Sequence, residues 1–239
     1  MLKIFITGSS DGIGLEAAKE LLKAGHEVLF HARNHTRAKE LERKLTKPCK
    51  ILVADLSDIE QTKQLAQDLN ALGIFDVIIH NAGVYQSSKQ EIFRVNVLAP
   101  YLLTALIQKP KKLLYIGSNM HPQGSFSKES LSLESGVDYA TSKLQVLMLS
   151  LAVARVYTDT FVSTIDPGWV RTKMANYNAP VSIEDGAKTQ VCLATDTDLY
   201  YRGKYFLNLK ESSYAAKADD IQMQAILLQK CQEITGVSL

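Results

Sequence analysis

Tyr139 and Lys143 are the two residues whose types and spacing best suit chemistry in this sequence. Four positions apart on a helix, their side chains share one face. A free tyrosine has a pKa near ~10, but a neighbouring ammonium favours the phenolate and lowers that pKa. A tyrosine tuned in this way can act as general acid or base when hydride moves to or from a carbonyl carbon, with Ser118 holding the substrate oxygen against it. This spacing is also common on exposed helices, so it needs the support of further motifs.

A glycine-rich turn at residues 7–14 (TGSSDGIG) supplies the second motif. Glycines let the backbone turn sharply and approach a pyrophosphate, while a helix N-terminus presents free N–H groups and a positive dipole end. An apolar strand precedes the turn and a helix pattern follows it, so we interpret the turn as a dinucleotide site rather than a plain Gly-rich turn. The residues predicted to contact the cofactor here are Gly8, Ser10, Asp11, Gly12, Ile13 and Gly14.

The end of the second strand favours NADP over NAD. An acidic residue there would bind the ribose hydroxyls, but the sequence has Arg33 and Asn34, and a guanidinium suits a 2′-phosphate. The alternative is a surface arginine that opens a loop. Asp55, followed by Leu56, closes the third strand, where the adenine would lie. Asp55 could equally cap the next helix.

The elements that must position these residues alternate between apolar strands and helices. We therefore predict a single-domain α/β Rossmann fold over residues 1–239, a doubly wound parallel sheet of about seven strands with helices on both faces. The predicted strands are Leu2–Thr7, Val28–His31, Ile51–Ala54, Phe75–His80, Lys112–Gly117, Phe161–Ile165 and Lys204–Leu207. The predicted helices are Gly12–Ala24, Thr36–Leu45, a third from Ser57 or Asp58 to Leu72, Gln90–Gln108, Tyr139–Tyr157, Ser182–Ala194 and Ala218–Thr235.

The bulk composition excludes several classes of partner. The 239 residues are 46% apolar and 22% charged, with a net charge of +2 and scattered basic residues, so we expect no nucleic-acid partner. Cys49, Cys192 and Cys231 lie far apart and fit neither a disulfide framework nor a metal site. The N-terminal apolar run is too short for a signal peptide or a membrane span. We expect a cytoplasmic protein with no presequence and no membrane association.

Taken in order, these motifs resemble the short-chain dehydrogenase/reductase family in its non-extended form, over nearly the whole chain. The motifs that agree are the glycine turn, Asp55, Asn81-Ala82-Gly83, Asn96, Ser118, Tyr139-x-x-x-Lys143 and Pro167-Gly168. The resemblance implies that Asn96, Ser118, Tyr139 and Lys143 are catalytic, with Asn96 holding a water of a proton relay. It implies further cofactor contacts from Asn81, Ala82, Gly83, Tyr139, Lys143, Pro167, Gly168, Val170 and Thr172.

Within the family, the chain is most similar to retinol-dehydrogenase-like and WW-domain-oxidoreductase-like members. That similarity implies an alcohol, aldehyde or ketone substrate. Family members commonly pair through the two long helices, here Gln90–Gln108 and Tyr139–Tyr157, which implies a homodimer or homotetramer. We expect residues 171–200 to cap the substrate and the long loop 119–138 to form a flap over it.

The sequence allows more than one role for several residues and more than one function for the chain. His121 has the pattern of a solvated loop histidine more than of a substrate contact, Trp169 could line the pocket or pack in the core, and His80 is expected in the core. A non-catalytic NADPH sensor or scaffold is the alternative function, although such relatives usually lose the tyrosine, lysine or serine. An epimerase or dehydratase would have a longer C-terminal domain and a different glycine spacing.

Overall fold

One sheet of eight strands runs through the protein, as the computed structural model describes it for residues 1–45, 47–126, 131–197 and 202–239. Its strands are β1 (Lys3–Ile6), β2 (Glu27–Ala32), β3 (Ile51–Val53), β4 (Val77–His80), β5 (Lys112–Ile116), β6 (Phe161–Asp166), β7 (Lys204–Leu207) and β8 (Lys210–Glu211). Their order is β3-β2-β1-β4-β5-β6-β7-β8. The first seven are parallel, and β8 pairs antiparallel with β7. The order reverses between β1 and β4, which opens a crevice for a ligand at the carboxyl ends of the strands.

Most of the helices begin at a capping side chain. The helices are α1 (Gly12–Lys23), α2 (His35–Lys44), α3 (Ile59–Ala71), α4 (Lys89–Phe93), α5 (Ala99–Leu106), α6 (Tyr139–Val156), α7 (Ile183–Thr195) and α8 (Ile221–Thr235). Asp11, Asn34, Asp58, Asp138 and Ser182 are among the N-caps, and each accepts a hydrogen bond from the first turn of its helix. Of the two predicted starts of α3, Ser57 and Asp58, the structure has Asp58 as the N-cap.

Each face of the sheet has its own apolar core. Successive side chains of a strand point to opposite faces, so Ile4 and Ile6 of β1 join one core while Phe5 joins the other. The Ile4 side is covered by α1 and α7, which pack on each other, and the Phe5 side by α3, α5 and α6. The predicted doubly wound α/β fold is confirmed. The strand β8 was not predicted, because two exposed charged residues carry no apolar pattern.

The helix predicted for Gln90–Gln108 is interrupted in the structure. Between α4 and α5, residues Arg94–Leu98 form a π-helical turn. Pro100 has no N–H to donate to the carbonyl of Asn96, four residues earlier, and the N–H of Ala99 reaches back to the Arg94 carbonyl instead. The wide turn carries Asn96, which is buried.

The C-terminal helix covers the surface predicted to pair with a second chain. Helix α6 is buried from Thr141 to Ala154, and α8 packs directly on it. Leu227 and Cys231 of α8 belong to the same core as α6, and the Tyr101 hydroxyl of α5 donates to the Val237 carbonyl at 2.6 Å. Pairing through the two long helices would require this segment to leave, so the surface implied by the resemblance is closed within the single chain. No helix of the described residues is long and apolar enough to cross a membrane.

Candidate active site

A cavity of about 810 Å³ opens at the carboxyl edge of the sheet, where the order of strands reverses. The structure brings most of the predicted site residues to its wall. These are Gly8, Ser10, Asp11, Gly12, Ile13, Gly14, Arg33, Asp55, Leu56, Asn81, Ala82, Gly83, Ser118, Tyr139, Lys143, Pro167, Gly168, Val170 and Thr172. Asn34 and Asn96 do not line it, and both have other partners, described below.

The glycine turn lies so close to the end of β4 that side chains would not fit. A Cβ added to Gly14 would lie 2.2 Å from Nδ2 of Asn81, and one added to Gly8 would lie 2.8 Å from Cα of Ala82. Gly8 also has a φ of 65°, a conformation that other residues adopt at a cost. The bare backbone and the α1 N-terminus therefore form a cradle that fits the pyrophosphate of a dinucleotide.

His31 supports this turn, and sequence reasoning did not predict it. The Gly8 N–H donates to Nδ1 of His31 at 2.9 Å, so Nε2 carries the proton and donates to the Ala54 carbonyl at 3.0 Å. The Ser9 hydroxyl accepts from the His31 N–H. Burial lowers the pKa of His31 to about 4, so the ring is neutral near pH 7. The available signal was a polar residue inside an apolar strand next to the glycine motif.

Arg33 lies at the cavity wall with an ion-pair partner. Its side chain is 58% exposed, and its Nη1 lies 3.5 Å from Oε1 of Glu91. A 2′-phosphate would compete with Glu91 for this guanidinium. Asn34 caps α2 by accepting from the Arg37 N–H, so its side chain has a structural partner outside the cavity.

Asp55 is not a helix cap. Its carboxylate accepts from the backbone N–H and the hydroxyl of Ser57, at 2.9 and 2.7 Å, while Asp58 caps α3. Of the two alternatives left open for Asp55, the cap is wrong. The residue lies on the cavity wall beside Leu56.

Tyr139 and Lys143 occupy the first turns of α6, which Asp138 caps. The Lys143 ammonium donates to the Ile116 carbonyl at 2.7 Å and lies 5.5 Å from the Tyr139 ring centroid. The Ser118 side chain lies beside the Tyr139 phenol and lowers its pKa. A proton donor, a cation and a hydroxyl thus surround one point of the cavity.

Burial controls the protonation of this pair. It raises the pKa of Tyr139 to about 12, although the hydrogen bond from Ser118 opposes the shift. It lowers the pKa of Lys143 to about 8, although the charge of Asp166 opposes that shift. The shift is opposite to the lowering that the sequence predicts from the ammonium, because desolvation of the phenol is its largest cause. Tyr139 therefore keeps its proton at neutral pH and is suited to donate it.

Asn96 lies close to Lys143 but is bonded to its own surroundings. A Cβ added to Gly83 would lie 3.4 Å from Oδ1 of Asn96 and 3.6 Å from Nζ of Lys143, so the two side chains meet across that glycine. The Asn96 amide accepts from the Val84 N–H at 2.8 Å and donates to the Val84 carbonyl and the Ser142 hydroxyl. Its relay role stays a prediction, and its visible role is to fix the segment after β4.

His121 is buried, not solvated as the sequence indicated. Its exposed fraction is 3%, and its ring lies 5.2 Å from that of Tyr205. The Ala215 N–H donates to Nε2 at 3.0 Å, so Nδ1 carries the proton and donates to the Ser118 carbonyl at 2.8 Å. The expectation failed because the residue that covers His121 comes from 94 positions later in the chain.

Exposed apolar side chains surround the mouth of the cavity near Tyr139. Trp169 is 58% exposed, so packing in the core is the wrong alternative for it, and it lines the cavity together with Met174 and Tyr85. The Tyr85 ring meets that of Tyr139 edge-on at 4.8 Å. Residues 172–176 of the predicted cap also line the wall. Parts of the predicted flap (127–130) and cap (198–200) lie outside the described residues.

Comparison with known proteins places this geometry in a family. The family model of the short chain dehydrogenases matches residues 3–181. The short-chain dehydrogenase chry4 of Gibberella zeae is 38% identical over 100% of this chain and 99% of its own length. Human retinol dehydrogenase 14 is 25% identical over 91% of this chain and 81% of its own length. A short chain dehydrogenase of Escherichia coli CFT073, solved in complex with NADPH, is 26% identical over 87% of this chain and 97% of that chain, with a TM-score of 0.69.

Proposed function

This chain belongs to the short-chain dehydrogenase family, and from that premise we propose that it is an NADP(H)-dependent oxidoreductase acting on an alcohol, aldehyde or ketone. One observation carries the proposal: Tyr139, Lys143 and Ser118 share a cavity with a glycine cradle that fits a dinucleotide. Catalytic groups and cofactor site therefore face the same space.

The reaction follows from the protonation states of the residues. The bound nicotinamide cofactor supplies hydride to a carbonyl carbon or accepts it from an alcohol carbon. In reduction, Ser118 donates a hydrogen bond to the carbonyl oxygen, and Tyr139 gives its proton to that oxygen as the alcohol forms. Lys143 holds positive charge beside the phenolate that remains, which lowers the energy of that state. In oxidation, the phenolate form of Tyr139 takes the proton of the alcohol as hydride leaves its carbon.

Arg33 supports a preference for NADP. The guanidinium stands at the end of β2, where NAD-binding sites of this fold use an acidic residue, and it is exposed at the cavity wall. A bidentate contact with a 2′-phosphate would replace its ion pair with Glu91. The E. coli structure bound to NADPH is consistent with the same cofactor.

The mouth of the cavity favours an uncharged substrate with apolar surface. Trp169, Met174 and Tyr85 line the cavity and are 58%, 41% and 39% exposed, and clustered exposed apolar groups mark binding sites. We further propose that residues 171–200 and 119–138 act as cap and flap, and that the protein is cytoplasmic. Assembly into a homodimer or homotetramer would have to use a surface other than α6, which α8 covers.

A panel of aldehydes and ketones, assayed in parallel with NADPH and NADH, tests the proposal. We expect consumption of NADPH with at least one neutral, apolar carbonyl, and weaker activity with NADH. The protein has one tryptophan, and it lines the cavity, so NADPH binding can be followed through Trp169 fluorescence. If NADPH binds but is not oxidised with any carbonyl of the panel, the proposed oxidoreductase activity is wrong and a non-catalytic NADPH sensor or scaffold is favoured.

A further inference from the structure

Asp166, the last residue of β6, is a buried carboxylate beside the active site. Its exposed fraction is 2%. One oxygen accepts from the Gly168 N–H at 2.9 Å, and the other accepts from the Tyr205 hydroxyl at 2.9 Å. Both donors are neutral. Among the residues that the structure describes, no lysine or arginine forms an ion pair with it.

Lys143 is a buried cation whose hydrogen-bond partner carries no charge. Its ammonium is buried, with an exposed fraction of 4%, and donates to a neutral carbonyl, that of Ile116. A buried charge without an opposite charge nearby is strongly unfavourable, and the interior screens two such charges less than water does. Asp166 raises the pKa of Lys143 against the effect of burial. Lys143 donates to Ile116 of β5, and Ile116 pairs with Ile165 of β6, the residue before Asp166, so the two charges lie at the ends of neighbouring strands.

Asp166 is also linked to the Ser118 loop. The Tyr205 ring, whose hydroxyl donates to Asp166, packs on His121, and His121 donates to the Ser118 carbonyl at 2.8 Å. Gly117 leaves the space for this arrangement. A Cβ added there would lie 2.7 Å from Cγ2 of Thr164 and 3.4 Å from Cε2 of Tyr205.

We propose that Asp166 is a positioning residue of the active site, which keeps positive charge on Lys143 from a distance and anchors the Ser118 loop through Tyr205 and His121. The proposal rests on the proposed function, because Lys143 and Ser118 have their roles in that reaction. Asp166 itself does not line the cavity among the described residues, so it acts through its neighbours and not on the substrate.

The groups that face Asp166 determine the sign of its effect on pH dependence. They are Tyr139 and Lys143 of α6, Tyr205 of β7 and His121 of the Ser118 loop, and Asp166 raises the pKa of each of them. Lys143 loses its charge as the pH rises through its pKa of about 8. Removing the carboxylate charge lowers that pKa, so the decline of activity at alkaline pH must begin earlier.

The test is the pH dependence of kcat for carbonyl reduction with NADPH in Asp166→Asn, between pH 6 and pH 10. We expect the alkaline decline to move to lower pH by about one unit, the usual size of the effect of one nearby charge. The Kd for NADPH should stay within about twofold, because the cradle is unchanged. Ser163→Ala is the matched control: Ser163 is buried on the same strand, without a hydrogen-bond partner for its Oγ. It should leave the alkaline decline in place.

Tyr205→Phe keeps the Asp166 carboxylate but removes the hydrogen bond that the Tyr205 hydroxyl donates to it. This variant therefore tests the anchoring of the Ser118 loop, and it does not depend on whether Asp166→Asn folds. We expect kcat at pH 7 to fall about tenfold, with KM for NADPH unchanged and the alkaline decline unmoved, since one charge-assisted hydrogen bond is lost. Wild-type kcat in Tyr205→Phe, or an unmoved alkaline decline in folded Asp166→Asn, overturns the proposal. A wild-type enzyme without any turnover would instead contradict the proposed function.

Discussion

Two buried histidines hold the two halves of the site, and they do so with the same bonding pattern. In the cofactor half, His31 accepts from the Gly8 N–H and donates to the Ala54 carbonyl. In the catalytic half, His121 accepts from the Ala215 N–H and donates to the Ser118 carbonyl. Each ring must be neutral to accept one bond and donate the other, and burial lowers the pKa of both.

The two histidines differ in how far along the chain their contacts reach. His31 joins partners 23 residues away on each side, from the glycine turn to the end of β3. His121 joins Ser118 to a residue 94 positions later, and Tyr205 and Asp166 belong to the same cluster. The support of the glycine turn by His31 is thus complete within the first three strands, whereas the support of the Ser118 loop by His121 needs the C-terminal segment to pack against it.

The largest effect should come from breaking the catalytic half alone. In Tyr139→Phe the carbonyl oxygen loses its proton donor, so we expect kcat to fall by about 10³-fold. The Kd for NADPH, followed through Trp169 fluorescence, should stay within about twofold because the glycine cradle is untouched. Activity near the wild-type level would show that Tyr139 is not the acid.

Gly8→Ala should break the cofactor half alone. The added Cβ would lie 2.8 Å from Cα of Ala82, in a residue with a φ of 65°. We expect NADPH to bind roughly 10- to 100-fold more weakly, corresponding to about 1–3 kcal/mol of strain. Gly25→Ala is the matched control, since Gly25 has a φ of 86° but no atom within 4 Å of its added Cβ. It should lower stability and leave NADPH binding unchanged; equal loss in both variants would contradict the cradle.

Arg33→Ala should change the binding of NADPH and NADH by different amounts. Loss of a charge-assisted hydrogen bond to the 2′-phosphate should weaken NADPH binding about tenfold and NADH binding less than twofold. Glu91→Gln is the complementary variant, because it releases Arg33 from its ion pair, and NADPH should then bind slightly more tightly. If Arg33→Ala weakens the binding of NADPH and NADH equally, Arg33 does not bind the 2′-phosphate.

The smallest expected effect is on stability at mildly acid pH. His31 has a pKa of about 4 in the folded chain against an ordinary 6.5, so the unfolded chain binds more protons between these values. Stability should therefore fall as the pH drops through this window, which urea unfolding at pH 7 and pH 4.5 can measure. His80 and His121 contribute in the same direction. His31→Asn keeps an acceptor for Gly8 and cannot be protonated, so its unfolding midpoint should depend less on pH; an equal dependence would contradict the role of His31.

The short motifs of both halves show how much could be predicted from the sequence. The glycine turn, the carboxyl end of β4 and the Tyr139–Lys143 pair each lie within a few residues, and the alternation of apolar strands and helices orders them along the sheet. Helical periodicity alone brings Tyr139 and Lys143 to one face. Short-range spacing is therefore enough to identify these groups and the fold that presents them.

Tertiary structure decided which groups shift the pKa values of the site residues and which segments cover them. The pairing of Arg33 with Glu91, the burial of His121 beneath Ala215, the approach of Asp166 to Lys143 and the packing of α8 on α6 join segments far apart in the chain. Even the direction of the Tyr139 pKa shift depended on this packing, because desolvation of the phenol is the largest cause of that shift. Spacing along a chain determines which residues share a strand end or a helix face, but burial and long-range charge depend on what packs against that face.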